Sequence, residues 1–153
     1  MKRERTMQIA DVIVAAGPVT KSILKISSNE DGTMSVVTER NHYVLYAVGS
    51  RIVLETMIDA PISDARERVL TALLAYNALW QDTGMIRMAL TGTRATAAVT
   101  MIADVVIDQD FTAEYVAALI EDLDAKAQIW REIIANGADD GADLHRNQHV
   151  VRV

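Results

Sequence analysis

Residues 69–84 read VLTALLAYNALWQDTG, and the spacing of their apolar side chains decides the architecture expected of the chain. Val69, Leu73, Tyr76 and Trp80 recur at helical intervals and form one row, so the stretch is predicted to be a single helix. Leu70, Leu74 and Ala78 form a second row, about a hundred degrees round the axis. A helix that docks on its own core needs only one apolar stripe. The second row therefore predicts either a broad core within the subunit or contact with a second subunit, and the subunit contact is the favoured reading. Asn77 lies among these apolar positions. Such a residue is satisfied locally or, in a subunit contact, helps to fix the pairing. Leu70, Leu74 and Asn77 are the candidate dimer-interface residues.

Upstream of this helix the pattern changes period. Residues 3–16 read as a first helix, with Ile9, Ile13 and Ala16 on one face and Gly17-Pro18 as its stop. Residues 22–28 form a weak strand candidate, closed by the turn sequence Asn29-Glu30-Asp31-Gly32. Residues 33–39, 42–48 and 51–58 are stronger strand candidates. Gly49-Ser50 suits a two-residue type II′ hairpin turn. That turn pairs Val48 with Arg51, Ala47 with Ile52, Tyr46 with Val53, Leu45 with Leu54, and Val44 with Glu55. Leu45, Ala47, Ile52 and Leu54 then share the core side. Val44, Tyr46, Val53 and Met57 fall on the other face, beside Glu55 and Arg51. A face that meets only water should be largely polar, and this one is not. It is covered by another element of the chain or it receives a partner.

Downstream, Pro61 ends the strands, and Ser63 or Asp64 caps the second helix, with Asp64 and Glu67 as a capping box. Residues 85–90 and 95–107 form a second hairpin. Ile86, Met88 and Leu90 face inward, as do Ala97, Val99, Met101, Ala103 and Val105. This requires an even number of loop residues, either Gly92-Thr93 or 91–94. The last helix has Thr112 as N-cap, Glu114 in its first turn and a staple from Phe111 to Val116. Its stripe runs through Val116, Leu119, Ile120, Leu123, Ala127, Trp130, Ile133 and Ile134, and Asn136-Gly137 stops it. The expected fold is α+β: three helices packed on a twisted antiparallel sheet, order α-β-β-β-α-β-β-α, with a possible extra edge strand within 19–30. Residues 1–137 form one domain in this reading, and 138–153 a mobile tail.

The chain has 153 residues, half of them hydrophobic and 5% aromatic, enough for one aliphatic core. Its net charge of −6 and pI near 5.0 disfavour nucleic acid and anionic membranes as partners. There are no cysteines, so disulfides, thiolate metal sites and cysteine nucleophiles are excluded, which fits a cytoplasmic protein. The N-terminal MKRERTMQIADVIVAAG has basic residues before an apolar run, but the run is short and Asp11 interrupts it, so it is expected to be a helix and not an export signal. No stretch approaches the roughly twenty apolar residues of a membrane span.

Reactive constellations are weak. His145 and His149 are four apart in the tail without a third ligand, so no metal site is expected. Asp104, Asp108 and Asp110 crowd a strand end and loop, where they would complement the following helix dipole more readily than form an acid/base pair. Asp139, Asp140 and Asp143 lack the closing Glu of a calcium loop. There is no G-x-S-x-G turn and no Gly-rich phosphate loop. An enzyme is not expected, nor a cofactor or a small-molecule substrate.

The run LLAYNALWQDTG (73–84), followed by MIRMALTG (85–92), ATAAVTMIADVVI (95–107) and DQDFTAEYVAALIEDLDAKAQIW (108–130), resembles the class I type III secretion chaperones, the Tir chaperone family. Leucines precede an Asn and a bulky residue, a Gly-containing break follows, and then come a hairpin, an acidic loop and a helix with Trp. The likeness spans about 9–134. It implies a small, acidic, cytoplasmic homodimer without ATPase activity. Such a protein binds an extended segment near the N-terminus of a secreted effector and keeps it soluble and secretion-competent. The residues suit that role independently. An extended peptide places alternate side chains in apolar pockets, and Ile9, Val12, Ile13, Val44, Tyr46, Val53 and Met57 are the candidate effector-binding residues. The competing reading is a regulatory or protein-binding module of the same fold with no secretion role.

Overall fold

A computed structural model describes residues 2–60, 65–92 and 97–136. The order of elements is α1 (Lys2–Ala16), a 3₁₀ turn (Gly17–Val19), β1 (Ile23–Ser28), β2 (Met34–Thr38), β3 (His42–Val48), β4 (Arg51–Asp59), α2 (Arg66–Ala78), α3 (Trp80–Thr83), β5 (Ile86–Thr91), β6 (Ala98–Val106) and α4 (Ala113–Ala135). The strands form one six-stranded antiparallel sheet in the order β1-β2-β3-β4-β6-β5. The fold is α+β as expected, and the possible extra edge strand is β1. The chain groups into two compact units, Met1–Met57 with Ile102–Lys126 and Ile58–Met101 with Ala127–Val153.

In the first unit the β3–β4 register is the expected one, from Val48↔Arg51 through Ala47↔Ile52, Tyr46↔Val53 and Leu45↔Leu54 to Val44↔Glu55. Gly49 takes φ 61° at the turn, a left-handed conformation that favours glycine. β2 joins β3 with Met34↔Leu45 and Val36↔Tyr43. Met34, Val36, Tyr43, Leu45, Ile52 and Leu54 are all buried on the inner face. Full burial of each such side chain stabilises by about 1.5–3 kcal/mol before the entropy of ordering it is deducted. Ala47 departs from the expectation: it is exposed although it opposes buried Ile52. The β2–β3 pairing begins at Met34↔Leu45, so no β2 residue flanks Ala47. β1 pairs with β2 through a bulge between Ile23 and Lys25. That bulge brings Ile26 opposite Val36 on the inner face and leaves Leu24 outside the core.

α4 begins as its sequence predicts, with Thr112 Oγ1 accepting from the Tyr115 backbone N–H at 3.2 Å. Phe111 and Val116 are both buried. In this unit Val116, Leu119, Ile120 and Leu123 bury the helix stripe. Asp124 then ties the helix to the β2–β3 hairpin. Its Oδ1 accepts from the Tyr43 hydroxyl, from Asn41 Nδ2 at 2.6 Å and from Thr38 Oγ1 at 3.1 Å.

In the second unit the inward residues of β5 and β6 behave as expected: Ile86, Met88, Val99 and Met101 are buried, and Leu90 is half-buried. Thr91 Oγ1 and Thr100 Oγ1 lie 2.7 Å apart on one face, a pairing that encloses an even number of residues. Both expected loops, Gly92-Thr93 and 91–94, run into residues 93–96, which lie outside the described residues, as do Pro61, Ser63 and Asp64 ahead of the second helix and the tail with its two histidines. Tyr76 and Trp130 meet edge to face, with ring centroids 5.3 Å apart. The stretch 69–84 is two helices and not one. The Leu79 backbone N–H donates to Tyr76 O at 3.0 Å, a bond three residues back that tightens and ends the first helix. Asp82 N–H then donates to Leu79 O at 2.8 Å within the short α3.

Candidate interaction surfaces

The outer face of the β3–β4 hairpin is built by strand alternation alone. Val44 and Tyr46 on β3 oppose Glu55 and Val53 on β4, so all four project from the side opposite the core. Val44, Tyr46 and Val53 are half-buried, and Met57 is 67% exposed. Two polar contacts cross this face. The Tyr46 hydroxyl donates to Glu55 Oε1 at 2.6 Å. Arg51 Nε donates to Asp104 Oδ1, also at 2.6 Å. Both carboxylates are thereby engaged within the chain, and the side chains between them are aliphatic.

The Arg51–Asp104 pair also shows how far the face extends. Asp104 lies on β6, and Ile102 and Val106 share its parity, so they carry the outer face on to that strand. On the other side, Ser35↔Val44 and Val37↔His42 bring Val37 to the same face. Sequence reasoning missed Val37, Ile102 and Val106. The signal was present for β6, because assigning Val99, Met101, Ala103 and Val105 inward already turns Ile102 and Val106 outward.

The α1 candidates belong elsewhere. Ile13 is 1% exposed and is part of the core, so it reaches no partner while the fold is intact. Ile9 and Val12 are half-buried, and Val14 is exposed. The end of α1 lies over the inner face of the sheet: a Cβ at Gly17 would stand 3.3 Å from Ile26 Cδ1. The structure therefore does not bring Ile9 and Val12 together with Val44, Tyr46, Val53 and Met57.

On α2, Val69, Ala72 and Leu73 are buried, Leu70 is half-buried and Leu74 is 71% exposed. One row thus serves the core of its own unit, and the other leads outward to Leu74. Asn77 is satisfied locally, the blander of its two readings. Its Nδ2 donates to Met88 O at 2.7 Å, and its Oδ1 accepts from Met88 N–H at 2.9 Å.

The acidic cluster disperses in the fold. Asp104 faces Arg51. Asp108 Oδ1 accepts from the Asp110 backbone N–H at 2.9 Å and so shapes the turn before α4. Burial, reinforced by the negative charge of Asp108, raises the pKa of the Tyr115 hydroxyl nearby. Among the described residues no group of three or more His, Asp or Glu is placed to hold a metal, and no helix is long and apolar enough to cross a membrane.

No protein-family model matches the sequence, and no curated protein matches it significantly. Solved structures do. A chain of the ExsC–ExsE complex superposes with a TM-score of 0.63 at 21% identity, covering 84% of this chain and 95% of that one. A chain of the HopA1–SchA chaperone–effector complex gives 0.63 at 9% identity, covering 84% and 97%. YbjN from E. coli, for which a role in transcription regulation has been suggested, gives 0.53 at 12% identity, covering 87% and 91%. The chain has the class I type III secretion chaperone-like fold.

Proposed function

We propose that this chain is a non-enzymatic, ATP-independent chaperone. It binds an extended segment near the N-terminus of a secreted effector and keeps that effector soluble and secretion-competent. The observation that carries this reading is the outer face of the sheet. Val44, Tyr46 and Val53 form an incompletely covered apolar strip, Met57 lies on the same face beyond Glu55, and the neighbouring carboxylates are engaged by Tyr46 and Arg51. It sits on a fold shared with a chaperone–effector complex. An unfolded segment must repay its ordering entropy with apolar contact, and a sheet face of alternating aliphatic side chains offers that contact without demanding compensating charges. Ile9 and Val12 on α1 supply a separate patch, which a long segment reaches by wrapping. The chain acts as a cytoplasmic homodimer, with Leu70 and Leu74 of α2 in the subunit contact. Residues 1–137 are the chaperone domain. It uses no cofactor and no small-molecule substrate.

Co-purification from the native cell tests the reading. The N-terminal region of a secreted protein should accompany the wild-type chain in stoichiometric amount. A Val44→Asp/Val53→Asp variant should lose that protein while its unfolding transition stays close to wild type. Recovery of only non-secreted partners would favour the alternative, a regulatory or protein-binding module of this fold without a secretion role, which the likeness to YbjN supports. A large loss of stability in the double variant would mean that the face is covered by the chain itself.

A further inference from the structure

We propose that Asn77 closes the β5 edge of the sheet to strand addition. β5 is the last strand in the sheet order. An edge strand presents unpaired backbone N–H and C=O groups at every second residue, a ready template for another chain. On β5 the alternation that includes Met88 also includes Ile86 and Leu90, so Met88 is the middle of any ladder formed there. Both of its backbone groups are already taken. Asn77 Oδ1 accepts from Met88 N–H at 2.9 Å, and Asn77 Nδ2 donates to Met88 O at 2.7 Å. A primary amide carries a donor and an acceptor side by side. It therefore reproduces the pair of bonds that a neighbouring strand would make to one residue, and it ends there because no further peptide unit follows. An incoming strand would have to displace both bonds at its central position before gaining any others.

The placement also accounts for an otherwise odd choice of residue. Asn77 is followed by one more residue of α2, on a helix whose neighbouring positions are mostly aliphatic, and Asn has lower helix propensity than those neighbours. Its two bonds need that residue type. Gln is longer by a methylene, Asp lacks the donor, and Leu has neither group. The occupant excluded is a second copy of β5 or any extended chain of similar pattern. This inference is independent of the chaperone reading.

Hydrogen exchange and sedimentation on the full chain test it. In the wild-type protein the Met88 amide should be protected although it faces the sheet edge. If it exchanges as freely as an exposed loop amide, the proposal fails without recourse to any variant. In Asn77→Ala at low concentration, Met88 exchange should accelerate about tenfold, the loss of one hydrogen bond. At higher concentration the variant should associate beyond the wild-type state, and Met88 protection should return as it does so. Asn77→Asp retains an acceptor for Met88 N–H but sets a carboxylate oxygen against Met88 O, so its protection should fall between those of the wild type and Asn77→Ala, and the charge at the edge should keep it unassociated. Because Leu74 lies on the same helix, the series is repeated in a Leu74→Asp background, where helix-mediated contact is weakened but edge pairing is not. A folded Asn77→Ala protein with wild-type association at all concentrations would overturn the proposal, as would unchanged Met88 exchange.

Discussion

Replacing Asp124 by Ala should destabilise the protein more than any other single change at a residue that is not itself buried. One carboxylate oxygen serves three side chains of the β2–β3 hairpin, Tyr43, Asn41 and Thr38, and all three residues are buried. A hydrogen bond to a charged acceptor is worth about 1.5–3 kcal/mol, but the three bonds share one atom and do not add. The worked expectation is a loss of about 3 kcal/mol, a large part of the roughly 5–15 kcal/mol typical of a domain. With a urea slope near 2 kcal/mol/M, the midpoint falls by roughly 1.5 M. Asp124→Asn keeps an acceptor oxygen and gives up the charge, so its loss should be about half as great. Glu132→Ala is the control on the same helix: that carboxylate is exposed and accepts only from Gln128 among the contacts seen, and its loss should stay within about 0.5 kcal/mol. Equilibrium urea unfolding, followed by far-UV circular dichroism and tryptophan fluorescence, measures all three. If Asp124→Ala unfolds within error of Glu132→Ala, the three bonds hold nothing together and the reasoning is refuted.

Three further outcomes follow from local geometry. Thr112→Ala removes the acceptor for the Tyr115 N–H and should lower stability by about 1 kcal/mol in thermal unfolding; Thr112→Ser should restore most of it. Gly49→Ala places a side chain at φ 61° and should cost about 1–2 kcal/mol, although nothing crowds the site; a neutral result would show that the turn changes type at little cost. The Asp31 carboxyl lies below its ordinary pKa of 3.8 because the Thr33 side chain, and then the Thr33 backbone, donate to it. A lowered folded value contributes stability that is present above the unfolded pKa and lost as pH falls through the folded one. A carboxyl-carbon NMR titration should therefore show a midpoint under 3.8 that moves upward in Thr33→Val; identical midpoints would contradict the assignment.

The parts of the fold that were legible in the sequence are those set by strict local periods. Gly49-Ser50 fixes a register because a two-residue turn leaves no freedom in the pairing. From that register, alternation yields both the buried side of β3–β4 and the strip that faces outward. The N-cap at Thr112 is likewise decided within four residues. Two features depended on partners distant in the sequence, and a third on backbone geometry that side-chain periods do not report. Ala47 reads as inward by parity, but whether it is covered depends on where β2 starts. Ile13 reads as one of several apolar helix residues, and only packing separates it from exposed Val14. The break after Ala78 is invisible to periodicity, because the apolar row continues through Trp80 while the backbone tightens at Leu79. Asn77 shows the same limit from the other side. Its sequence context leaves open a locally satisfied side chain or a pairing determinant between subunits, and only the fold shows that it bonds Met88, on a strand eleven residues away in the same chain.

The polar contacts of the outer face bear on what a client must provide. Covering Glu55 or Asp104 with an apolar segment would be costly if either carboxylate were left without a partner. In this fold Tyr46 and Arg51 supply those partners from within the chain. A client segment in the proposed complex need not bring matching charges to this strip, and its affinity is set by how much aliphatic surface it lays across Val44, Val53, Ile102 and Met57. That arrangement favours breadth over sequence specificity on the sheet face. Discrimination between clients then has to come from elsewhere along a wrapped segment, where α1 offers Ile9 and Val12, half-buried on the far side of the sheet. Binding to either patch alone would be weak and permissive. Simultaneous engagement of both requires a segment long enough to pass round the sheet, and this length requirement would separate an unfolded effector region from a short apolar peptide.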